Sequence, residues 1–141
     1  MAKKAPLVVV DDDQDDKENL EAAIKDLQIP NKIRWFRSCP EAFDYLKNTT
    51  DQPFVIICDL NLPKQTGLEL KRQIDEDKEL RRKSIPFIFY STSADQRSVN
   101  DAYTKMTVQG FFQKASNLKQ IEEHLKIIYD YWQACIHPNT F

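Results

Sequence analysis

The stretch Pro53–Gly67, PFVIICDLNLPKQTG, decides the fold. Phe54, Val55, Ile56, Ile57 and Cys58 form an apolar run with no polar alternation, the pattern of a strand covered on both faces in a parallel sheet. Asp59 ends the run abruptly. It stands at the strand's carboxyl end, the edge along which open α/β sheets form their ligand crevice. Asn61, Pro63 and Gly67 then supply turn chemistry. A carboxylate that merely opens this turn would explain Asp59 equally well, so its role depends on how the other strands end.

They end alike. Leu7, Val8, Val9 and Val10 read as a first buried strand, followed at once by Asp11, Asp12 and Asp13. Acids continue through Asp15, Asp16 and Glu18 before Leu20, Ala23, Ile24 and Leu27 recur at helical spacing up to Pro30. The helix dipole and its free N–H groups account for Asp15, Asp16 and Glu18. They account poorly for Asp11 and Asp12, because adjacent like charges at a strand end repel unless a cation lies between them. Ile33–Phe36 is the second strand, and Pro40 through Leu46 a short second helix closed by Asn48 and Thr49. A third helix is expected from Gly67 to Leu80, carrying Leu68, Leu70 and Ile74, with Arg81, Arg82 and Lys83 as its solvated end.

The fourth strand, Ile85–Tyr90, stops at Ser91, Thr92 and Ser93, and a weak helix covers Asp95–Lys105. Gly110–Gln113 is the fifth strand and ends at Lys114. Ser116 or Asn117 caps a last helix whose stripe of Leu118, Ile121, Leu125, Ile128 and Trp132 forms a seam covered by the sheet. Tyr129, Tyr131 and Trp132 could extend that seam into a homodimer contact. His124 and His137 have no partner at a readable spacing and are expected at the surface, and His137–Phe141 is expected to be a frayed tail.

Composition narrows the function. A net charge of −2 and a pI near 5.7 give no basic footprint, so nucleic-acid binding is not expected. Two glycines in 141 residues do not build a glycine-rich phosphate loop. Cys39, Cys58 and Cys135 lack zinc-site spacing and read as reduced structural thiols. With no signal peptide and no long apolar run, a cytoplasmic protein without a membrane partner is expected. The chain reads as one domain, 1–141, with a core over about 6–134.

Alternating strands and helices imply an α/β fold: a five-stranded parallel sheet, doubly wound, with helices on both faces in a three-layer α/β/α sandwich and right-handed crossovers. One edge then collects Asp11, Asp12, Asp59, Ser91 and Lys114. Carboxylates brought together this closely favour a hard divalent cation such as Mg²⁺. A carboxylate beside that cation can attack a phosphoryl group in line while Lys114 and the Ser91 hydroxyl hold its oxygens, giving an aspartyl phosphate.

The runs VVVDDDQDD, CDLNLPKQTG, IPFIFYSTSAD and GFFQKAS together resemble a response-regulator receiver domain, a (βα)5 fold of the flavodoxin-like type. The resemblance implies that Asp59 is the phosphoacceptor and that Asp11, Asp12, Asp59 and the backbone carbonyl of Asn61 hold Mg²⁺. It makes Ser91 the switch hydroxyl, Lys114 the phosphoryl contact and Phe111 the rotating aromatic. DLNLPK, KAS and the aromatic YWQACIHPN further resemble small single-domain receivers that partner bacterial phytochrome histidine kinases. Two departures stand out: Ala115 occupies the place where many receivers have proline, so the Lys114–Ala115 bond is expected to be trans, and Phe111 lacks a tyrosine's hydroxyl. Since no output domain follows the last helix, the readout is expected to be a protein contact with a sensor histidine kinase, a phosphotransfer protein, a downstream target or a second copy. A Mg²⁺-dependent phosphohydrolase is an alternative, although Asn61 stands where such an enzyme usually has a second acid. A receiver-like interaction module that is never phosphorylated is another.

Overall fold

The computed structural model describes residues 2–92 and 95–138. After a single 3₁₀ turn at Ala2–Lys4 the elements are β1 (Leu7–Val10), α1 (Gln14–Asp26), β2 (Ile33–Phe36), α2 (Cys39–Asn48), β3 (Val55–Cys58), α3 (Gly67–Glu76), α4 (Lys78–Lys83), β4 (Phe87–Ser91), α5 (Gln96–Lys105), β5 (Gly110–Gln113) and α6 (Leu118–Ala134). The strands form one parallel sheet in the order β2-β1-β3-β4-β5. The order reverses direction beside β1, which opens a crevice at the carboxyl ends of β1 and β3.

Apolar runs become central strands because both faces are covered. Every residue of β1, β3 and β4 is buried. Val8, Val10, Ile56, Cys58, Phe87 and Phe89 pack on one side against α2 and α3, whereas Leu7, Val9, Val55, Ile57, Ile88 and Tyr90 pack on the other against α1 and α6. The register pairs Val10 with Cys58 and Cys58 with Phe89, so the residues that follow these strands emerge at one level. Removing such side chains from water contributes roughly 1.5–3 kcal/mol each, which makes the sheet a stiff mount for what its edge carries.

The helical stretch expected from Gly67 to Leu80 is two helices. Asp77 has extended backbone, φ −86° and ψ 118°; its N–H donates to the carbonyls of Gln73 and Ile74, and its carboxylate accepts from the N–H groups of Glu79 and Leu80. One residue therefore closes α3 and caps α4. Arg81, Arg82 and Lys83 fall in the last turn of α4, where the helix dipole favours cations. Ser91 belongs to β4, one residue beyond the expected stop, and Ser93 lies outside the described residues. Asn117 caps α6 by accepting from the Gln120 N–H. Of the α6 stripe, Ile121, Leu125 and Ile128 are buried and Trp132 packs partly beneath them, but Leu118 is 38% exposed, since the seam begins a turn above the covered region.

His137 is the clearest departure from a surface reading. It is buried, its Nε2 lies 2.7 Å from the Phe54 carbonyl oxygen and its ring stacks on Phe54 at 5.7 Å. Chain after α6 thus packs back under the sheet through His137, while Asn139–Phe141 lies outside the described residues. His124 is likewise not isolated, since its Nδ1 lies 3.3 Å from the Tyr90 hydroxyl. Among the described residues no peptide bond is cis, so Lys114–Ala115 is trans. No helix there is long and apolar enough to cross a membrane.

Candidate phosphoacceptor site

The Asp59 backbone continues the sheet, its N–H donating to the Val10 carbonyl at 2.9 Å. Its carboxylate then turns into the crevice. Oδ1 accepts from the Asn61 N–H at 3.3 Å and Oδ2 accepts from Lys114 Nζ at 2.8 Å. The loop beyond it is closed by the Gly67 N–H on the Leu60 carbonyl at 2.9 Å. A Cβ at Gly67 would overlap the Asp59 carbonyl oxygen and touch the Phe89 ring. Glycine at that position lets α3 begin directly against the backbone of Asp59.

Asp11 follows β1 at the same level. Its Oδ1 accepts from the Asp13 N–H at 3.0 Å, and its Oδ2 lies 2.7 Å from Lys114 Nζ. Asp13 in turn caps α1, accepting from the N–H groups of Asp15 and Asp16. That cap sets the phase of the first turn and swings Asp16 inward, its Oδ2 2.5 Å from Lys114 Nζ. Asp12 is exposed. Carboxylate oxygens of Asp11, Asp16 and Asp59 all lie within 4.8 Å of one another. Asp16 is the residue that sequence reasoning missed: a helix-terminal acid had a sufficient local explanation, and only the Asp13 cap shows which way it faces.

Lys114 reaches this cluster from the end of β5, its own N–H held by the Ser91 carbonyl at 2.9 Å. Burial opposes its charge, but hydrogen bonds to Asp11, Asp16 and Asp59 prevail and hold its pKa well above the ordinary lysine value. Burial acts without full compensation on Asp11, whose pKa is pushed up to about 6 despite Lys114 and the Asp13 N–H. Three carboxylates on one ammonium leave negative charge in excess, and the donor set is hard oxygen throughout, which fits a divalent cation of the Mg²⁺ or Mn²⁺ type. The Ser91 side chain is fully buried at the end of β4. Phe111 sits opposite Phe89 in the β4–β5 register, ring centroids 5.4 Å apart, and is only partly buried.

A parallel sheet of this order, with acids after β1 and β3 and a lysine after β5 drawn to one point, has a counterpart among known families. The sequence profile of the response regulator receiver domain matches residues 7–126. The chain belongs to that family. The receiver is 26% identical over 131 residues to the response regulator Rcp1 of Synechocystis sp., covering 89% of this chain and 87% of that protein. The phosphorylated cyanobacterial phytochrome response regulator RcpA superposes with a TM-score of 0.81 at 29% identity, over 92% of this chain and 94% of that one. The Mn²⁺-bound form of Rcp1 shares the fold, with a TM-score of 0.79 at 24% identity over 93% and 96% of the two chains. This receiver is therefore the phosphoaccepting type of domain used in two-component signalling, and its acidic crevice suits a divalent cation.

Proposed function

We propose that Asp59 accepts a phosphoryl group from the phosphohistidine of a sensor histidine kinase or phosphotransfer protein, with Mg²⁺ as the working cation. The observation that carries this reading is the Asp59 carboxylate at the crevice, one oxygen 2.8 Å from Lys114 Nζ, with the Asp11 carboxylate on the same ammonium. One Asp59 oxygen attacks phosphorus; the N–P bond of the donor breaks, and its electron pair stays on the departing imidazole nitrogen. Lys114 and the Ser91 hydroxyl take the phosphoryl oxygens as negative charge gathers on them. Asp11, Asp12, Asp59 and the Asn61 carbonyl are the proposed cation ligands, and the geometry adds Asp16 as a further carboxylate of the same cluster. When bound, the cation neutralises the acidic cluster and the incoming phosphate.

Transfer exchanges the Lys114 contacts. Phosphate on Asp59 offers that ammonium a stronger partner than the Asp16 carboxylate, and Ser91 follows it. Motion of Ser91 frees room beside Phe89 and Phe111, and Phe111 changes rotamer by packing alone, since it has no hydroxyl to bond Ser91. The altered surface around α5, β5 and α6 is then read by a partner in the cytoplasm. Likeness to the phytochrome response regulator RcpA supports a bacterial phytochrome histidine kinase as the donor class. Of the three aromatics expected at a homodimer contact, Tyr129 and Trp132 pack against the core, and exposed Tyr131, with Ile127 one turn before it, supports that contact. Transfer of labelled phosphate from a phosphohistidine protein tests the reading: label should move to the wild type in Mg²⁺ and not to Asp59→Asn, and equal labelling of both would overturn it.

A further inference from the structure

Many receivers have proline after the phosphoryl-contacting lysine, and proline has no N–H to satisfy. Here the residue is Ala115, and among the described residues its N–H has one acceptor, the Tyr90 hydroxyl at 3.4 Å. The same hydroxyl lies 3.3 Å from His124 Nδ1 on α6. The imidazole meets the Tyr90 ring edge-on at 5.7 Å and packs on Phe112 at 5.2 Å. Ala115 N–H donates to the tyrosine oxygen, and the hydroxyl, carrying its own proton, shares a hydrogen bond with His124 Nδ1. Burial pushes the Tyr90 hydroxyl above its ordinary pKa, which keeps that proton in place.

The tether bears directly on Lys114. Its own N–H is held by the Ser91 carbonyl and the next N–H by the side chain of Tyr90, so two successive residues of β4 grip the backbone on either side of the lysine Cα. We propose that Tyr90 is a positioning residue for phosphoryl transfer: with its hydroxyl oriented by His124, it fixes through the Ala115 N–H the backbone that aims Lys114 at Asp59. This inference rests on the phosphoacceptor reading of Asp59. It assigns to a tyrosine and a histidine on the α1–α6 side of the sheet the constraint that a proline ring supplies elsewhere, and it ties Lys114 to the last helix.

The test compares wild type, Tyr90→Phe, Ala115→Pro and the double variant. Phosphate uptake from acetyl phosphate is followed against donor concentration at saturating Mg²⁺, and the ¹³Cε resonance of Lys114 is recorded without any donor. Tyr90→Phe keeps the ring and removes the hydroxyl. It should lower the maximal rate about fivefold, the weight of one neutral hydrogen bond, leave the half-saturating Mg²⁺ unchanged, and shift the Lys114 resonance. Both effects should vanish in the Ala115→Pro background, where there is no N–H to lose. Equal effects in the two backgrounds would show that the hydroxyl does not act through the Ala115 N–H and would overturn the tether, as would unchanged readouts in the Ala115 protein. If the wild type takes up no phosphate, the functional reading fails and the Lys114 resonance still decides the role of Tyr90. Should Ala115→Pro not fold, Ala115 amide exchange decides instead: unchanged protection in Tyr90→Phe contradicts the tether.

Discussion

Lys114 is a single side chain whose removal alters the charge balance of the whole crevice. Lys114→Met leaves three carboxylates facing one another with no cation, and breaking such a pairing costs roughly 2–4 kcal/mol where solvent still reaches the crevice. The metal-free variant should unfold at correspondingly lower urea, and millimolar Mg²⁺ should restore most of the loss; a variant as stable as wild type without metal would show that the ammonium does not hold the acids together. Asp11 sets the pH response. Its folded pKa near 6 exceeds the unfolded value of 3.8, so the metal-free native state binds the proton more tightly than the unfolded chain does. Its contribution to stability is therefore present below pH 4 and lost as pH rises to 6. Cation binding has the opposite slope, because the metal needs the carboxylate: apparent Mg²⁺ affinity should rise about tenfold per pH unit up to 6 and flatten above it. Titrations by calorimetry at pH 5, 6 and 7 check this, and an affinity flat across that range would remove Asp11 from the ligand set. Asp11 and Asp59 were legible in the sequence because each ends an apolar strand. Asp16 was not, because an acid in a helix's first turn already has a local reason to be there.

At the scale of elements, α3 begins so close to Asp59 that its first residue has no room for a side chain. Gly67→Ala would gain helix propensity, yet the added methyl meets the Asp59 carbonyl, a backbone atom that cannot yield without moving the carboxylate. We expect a net loss of about 1–3 kcal/mol with weakened phosphate uptake; a stabilised, fully active variant would contradict the close approach. His137 anchors the chain after α6. Burial lowers its pKa from 6.5, so the native state binds fewer protons than the unfolded chain as pH falls below 6.5, and its contribution to stability fades in that direction. The difference in unfolding free energy between wild type and His137→Gln should accordingly shrink from pH 7 to pH 5, and a constant difference would argue against a buried neutral imidazole. Neither the anchor nor the break at Asp77 was visible beforehand. A single histidine in a polar tail has no periodicity, and no proline or glycine stands between Gln73 and Leu80 to mark the break.

For the molecule as a whole, the sheet acts as a rigid frame and the crevice as the place where its strand ends are read together. Apolar runs were enough to foresee the three central strands β1, β3 and β4, because burial on both faces leaves no other pattern, whereas the half-exposed edge strands β2 and β5 followed from the alternation with helices. The Tyr90 tether was beyond that reach, since it joins residues 25 positions apart through a side-chain oxygen and no local pattern encodes it. The proposed role of this frame is to present Asp59 for reversible phosphorylation. Its most direct measurement is the intact mass of the purified protein after incubation with acetyl phosphate, with and without Mg²⁺, beside Asp59→Asn. One added phosphate that needs Mg²⁺ and is absent from the variant is the expected result; no phosphate on the wild type despite bound Mg²⁺, or the same phosphate on the variant, would contradict it.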